Sequence, residues 1–170
     1  FGVSLFIWSG ILSITLVSLA LGYWWGGRLA AGRHGQALSA EKLASLFALM
    51  PAVAAIAIVA ACLVYPYLFQ ALARFDLVAG AFIACIALLF VPLFATSAMN
   101  PLLVALLLRQ SAAKGAAADG GAGRVFFVST IGSVAGVVVT AFGMIPYLSN
   151  FVSTLLVAVV LALLPLAMIL

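Results

Sequence analysis

The stretch Leu77–Leu108, LVAGAFIACIALLFVPLFATSAMNPLLVALLL, runs for 32 residues without one charged side chain. Its apolar residues are continuous and do not alternate, which argues for a helix and against the period-two pattern of a membrane barrel strand. At 1.5 Å rise per residue such a helix reaches about 48 Å, whereas a hydrocarbon core is about 30 Å thick. Four further apolar stretches share the chain with it, at about 4–25, 43–68, 125–147 and 151–170. Each is close to the roughly 20 residues that one crossing requires. Hydrophobic residues make up 68% of the chain and charged ones 6%, and soluble domains carry about 25% charged residues. No soluble core of this size hides so much apolar surface. The expected fold is all-α: a polytopic transmembrane helix bundle of about five helices, forming one domain over residues 1–170.

The third stretch contains Pro92 and Pro101. Each removes a backbone donor and presses its ring on the preceding turn. We read one long, tilted, proline-kinked helix, with two re-entrant halves as the alternative. Thr96, Ser97 and Asn100, lying between the prolines, are candidates to satisfy the carbonyls that the prolines free.

The connections set the expected orientation. Loop 26–42 holds Arg28, Arg33 and Lys42, and loop 109–124 holds Arg109, Lys114 and Arg124; the other two connections hold only Arg74. Basic residues mark the cytoplasmic side. The expected location is therefore an integral position in a bacterial cytoplasmic (inner) membrane, with Phe1 on the outer side. Tyr23, Trp24 and Trp25 would form the aromatic belt at the cytoplasmic end of the first helix, and Trp8, Tyr65, Tyr67 and Tyr147 the outer belt. Ser39 and Asp76 are placed to cap the second and third helices, and Glu41 sits where the second helix dipole favours an acid.

None of the five predicted spans contains Asp, Glu, Lys, Arg or His. Carriers coupled to protons or ions usually hold such a group near the midplane, where it is costly and retained for function. The single histidine, His34, and the three acids are too dispersed for a metal set or a Ser/His/acid triad. We expect no catalytic residue, metal or cofactor. Cys62 and Cys85 read as small buried hydrophobes. The net charge of +4 comes from orienting loops and gives no reason to expect nucleic acid. GGRLAAG, Gly26–Gly32, lacks the Gly-Lys-Ser/Thr of a phosphate-binding loop.

The helices do contain small residues in rows. In the fourth, Ser129 and Ser133 lie four apart, as do Gly132, Gly136 and Thr140 in succession; in the first, Ser18, Gly22 and Gly26 do the same. Such rows let another helix approach closely. The approaching helix can belong to this chain or to another subunit.

The sequence resembles the membrane domain of integral-membrane spermidine synthase-like proteins, the fused major-facilitator/spermidine synthase proteins. LGYWWGGRLA at 21–30, the Pro92/Pro101 spacing and AGRVFFVSTIGSVAGVVVTAFGMIP at 122–146 carry the likeness. The resemblance implies one helix before Phe1 and an aminopropyltransferase domain after the membrane part. It departs from the family at Ser97, where glycine is usual. GGRLAAGRHG is also similar to the cytoplasmic loop motif of major-facilitator carriers, but Ala31 stands at the motif's acidic position.

The expected function is a non-catalytic accessory or assembly module that docks onto a larger membrane complex, its partners being the lipid bilayer and other membrane subunits. The alternatives are a major-facilitator-like carrier for a polyamine or lipophilic solute, and the membrane anchor of a spermidine synthase-like enzyme.

Overall fold

The structure, a computed structural model, describes residues 5–32, 38–72, 74, 76–113 and 119–169. Five helices long and apolar enough to cross a membrane make up the described chain, and no strand occurs among the described residues. They are α1 (Leu5–Ala31), α2 (Ala40–Leu72), α3 (Leu77–Ala113), α4 (Asp119–Val138) and α5 (Asn150–Ile169). A π-helical turn, Val139–Met144, continues α4.

The helices outrun their apolar stretches. The loop expected at 26–42 is helical through Ala31 and again from Ala40, and the one expected at 109–124 is helical through Ala113 and again from Asp119. Hydropathy marks where the lipid ends, whereas backbone hydrogen bonding continues until something stops it. For α1 the stop is Gly32, whose φ of 80° is the left-handed conformation, and its N–H donates to Leu29 O at 3.2 Å. At the start of α2 the Ser39 hydroxyl accepts from Lys42 N–H at 3.4 Å, with Glu41 in the first turn. Asp76 accepts from Val78 N–H at 3.1 Å to open α3. Ser149 opens α5 in the same way, accepting from Val152 N–H at 3.4 Å. Each side chain satisfies a donor that the first turn of a helix leaves without a partner.

α3 is one continuous helix with Pro92 and Pro101 inside it, and α2 likewise includes Pro51 and Pro66. The expected rescue of the freed carbonyls takes another form. Prolines 92 and 101 free the carbonyls four residues earlier, those of Leu88 and Ser97. The Thr96 hydroxyl instead donates to Pro92 O at 2.8 Å and Leu93 O at 3.2 Å, and that of Ser97 to Phe94 O at 3.0 Å. A short hydroxyl side chain reaches only carbonyls three or four residues back on its own helix. Asn100 lines a cleft with Tyr23, Pro101 and Phe126.

α1 and α3 run parallel and form the closest pair. Gly10 lies beside Phe82, Gly22 beside Phe94 and Ser97, and Gly26 beside Ala98 and Pro101, so both chains advance together. α2 packs antiparallel to α3: Leu43 and Met50 near its start meet Ala98 and Leu102 in a buried cluster, and Val64 and Leu68 near its end share a cleft with Ala87 and Leu88. α5 packs on α2. α4 touches α3 near its own start, where Val125 is buried, and is then exposed along 130–139.

Leu102 is fully buried at the centre of the α2/α3 cluster. Leu102→Ala is expected to cost about 2–3 kcal/mol, the low end for such truncations. In lipid the displaced side chain loses packing but gains no exposure to water. Detergent-denaturant unfolding followed by tryptophan emission measures the loss.

Candidate helix-docking surface

Two rows of small residues occupy opposite environments. In α1, Ser18, Gly22 and Gly26 are all buried. A Cβ at Gly22 would overlap the Ser97 hydroxyl and lie 2.6 Å from Phe94 O, and one at Gly26 would lie 2.6 Å from Ala98 O and 2.8 Å from Pro101 Cγ. The α3 backbone therefore occupies the space that side chains at these positions would need. Ser18 donates its hydroxyl to Ile14 O at 2.6 Å, and the Ser97 hydroxyl, shared with Phe94 O, reaches Ser18 O across the interface at 3.4 Å. Ser97 thus bonds to the facing helix. Ser97→Ala is expected to cost only about 0.6 kcal/mol, the average for a hydrogen bond between membrane helices. The same unfolding measurement reads it.

In α4 no described residue covers the row. A Cβ at Gly132, Gly136 or Gly143 would meet nothing within 4 Å. Gly132, Ser133 and Gly136 are exposed, and Ser129 and Thr140 are half-buried. Around them stand Ile131, Val134, Val137 and Phe142, all exposed. Two hydroxyls on this helix bond within it: Ser133 donates to Ser129 O at 2.9 Å and Thr130 to Phe126 O at 2.7 Å. Thr140 lies within the π turn, where Ile145 N–H bonds Thr140 O at 2.9 Å across five residues. Pro146 comes next and cannot continue the ladder. This π turn has no signature in the hydropathy pattern; the proline after Met144 and Ile145 is its only sequence mark.

The aromatic residues divide likewise. Trp8, Tyr65, Tyr67 and Tyr147 are exposed near one set of helix ends, and Tyr23 and Trp24 are exposed towards the end of α1. Trp25, expected in the interfacial belt, instead turns inward: its ring lies 5.4 Å from that of Phe94, which stacks on Phe90 at 5.8 Å. It also packs against the Leu43–Leu102 cluster. Arg28 and Arg124 are exposed and Arg109 is half-buried; Arg33 and Lys114 lie outside the described residues. Cys62 and Cys85 are half-buried free thiols. Among the described residues no group of His, Cys, Asp and Glu is placed to hold a metal.

No protein-family model, curated protein or solved structure matches this chain.

Proposed function

We propose that the chain is a non-catalytic membrane module that docks, through the small-residue face of α4, onto a transmembrane helix of a partner subunit. The observation that carries this reading is the contrast between the two rows. The α1 row is occupied by a helix of this chain, while the Gly132/Gly136 row is built alike and left open by the described residues. Close helix approach in lipid depends on such rows, because lipid tails are as apolar as leucine and bulk hydrophobicity does not drive association. The basic ends of α1 and α3 would face the cytoplasm of a bacterial cell by the positive-inside rule.

Purification of the native protein from its membrane in mild detergent tests the proposal. A stoichiometric membrane partner, cross-linked from a photoreactive residue placed at Val137, is the expected result. Recovery of the free monomer alone would count against it. The resemblance to spermidine synthase-like proteins supplies the competing role, that of an enzyme's membrane anchor. An intact mass well above that of these 170 residues, with aminopropyltransferase activity in the same preparation, would replace the accessory role with that one.

A further inference from the structure

At the α1–α2 end of the bundle, Trp24, Trp25, Arg28, Leu29, Gly32 and Leu38 line a cleft of about 440 Å³. Its floor is apolar: Trp25, Leu29 and Leu38 pack against the Leu43–Leu102 cluster. Arg28 is the one charged residue among the described residues that line it. The Arg28 guanidinium lies over the Trp24 ring, 5.2 Å from its centroid. That stacking holds the cation at the cleft while leaving its N–H fork open to a ligand. Arg28 forms no ion pair with a carboxylate among the described residues, and Glu41 and Asp76 are both exposed. The clefts between α2 and α3 and between α2 and α5 are lined only by apolar side chains. They offer an acyl chain room but no polar group that distinguishes one lipid from another.

We propose that this cleft is a binding site for the headgroup of an anionic phospholipid, its phosphate paired with Arg28 and its glycerol and first acyl carbons laid along Trp24, Leu29 and Leu38. Three features support a lipid occupant. The site combines one cation with an apolar floor, it lies where α1 leaves the apolar stretch, and its walls are the interfacial residues tryptophan and arginine. A basic residue at a membrane surface favours anionic lipid by about fivefold.

The chain has three tryptophans, so Trp8→Phe leaves emission from Trp24 and Trp25 alone. This variant is reconstituted in phosphatidylcholine vesicles containing either brominated phosphatidylglycerol or brominated phosphatidylcholine. Half-maximal quenching is expected at about fivefold lower mole fraction of the brominated phosphatidylglycerol. Equal quenching by the two lipids overturns the proposal, and this comparison involves no change at Arg28. Arg28→Gln is expected to abolish the preference, whereas Lys42→Gln, which removes an exposed charge in the first turn of α2, keeps it. Loss of the preference in both variants by the same factor overturns the site in favour of diffuse surface attraction. Excess inorganic phosphate is expected to leave the quenching unchanged; displacement of the lipid by phosphate overturns the lipid assignment.

Discussion

Gly22→Val is expected to destabilise the bundle by about 3 kcal/mol, with Gly26→Val close behind. A side chain at Gly22 must displace both the Ser97 hydroxyl and the backbone around Phe94 O, 2.6 Å from the new Cβ. The hydroxyl can rotate away. The carbonyl belongs to a helix in which its neighbours are already hydrogen-bonded, so α1 and α3 must move apart as bodies. That separation would also break the Ser97–Ser18 bond and loosen Trp25 from Phe94. The matched control is Gly27→Ala, where a Cβ meets nothing within 4 Å. Alanine there removes the conformational entropy of a helical glycine and is expected to be neutral or stabilising by up to about 1 kcal/mol. Unfolding of both variants by denaturing detergent, monitored by tryptophan emission and helical circular dichroism, measures the pair. Equal stability of Gly22→Val and Gly27→Ala would mean that α1 and α3 are not in backbone contact.

Gly132→Leu combined with Gly136→Leu should do the reverse. The bundle's own stability is expected to stay within about 0.5 kcal/mol of the parent, as for substitutions on a surface, because no atom of the described chain lies where the new side chains start. Partner recovery, by contrast, is expected to fall at least about tenfold, which corresponds to about 1.4 kcal/mol. Two leucines on one face hold a facing helix several ångströms from the α4 backbone and remove the close packing on which membrane-helix association relies. Quantitative co-purification against the parent reads the second effect, and unfolding of the isolated chain reads the first. A double variant that keeps its partner would place the docking surface elsewhere. One that unfolds would mean that α4 packs against other parts of this chain through that face.

The legibility of each feature depends on the range of the interaction that creates it. The helix count could be read because each crossing is a run of apolar residues interrupted by charge. The caps Ser39 and Asp76 could be read because a capping side chain acts on N–H groups two or three residues away. The helix ends could not be read from hydropathy, since α1 continues for six residues beyond Trp25 until Gly32 takes a positive φ. Thr96 and Ser97 were legible as hydroxyls near prolines, but their reach of one turn directs them to Pro92, Leu93 and Phe94 instead of to the freed carbonyls. Trp25 was indistinguishable from Trp24 in sequence; a rotation of one residue around the helix turns one towards Phe94 and leaves the other beside Arg28.

The sequence by itself determined that this chain is a bundle of apolar helices, how many there are, and that α1 and α4 each carry a ridge of small residues. These are properties of composition and of spacing within one helix. Only the tertiary structure decided which ridge is occupied. In water, the buried face of a helix is marked by its apolar residues, but in lipid the buried and exposed faces are equally apolar and no such mark exists. Whether Gly22 or Gly136 touches a backbone therefore depends on which distant segment lies beside it. For Gly22 that segment is at Phe94–Ser97, and for Gly136 it is no part of the described chain.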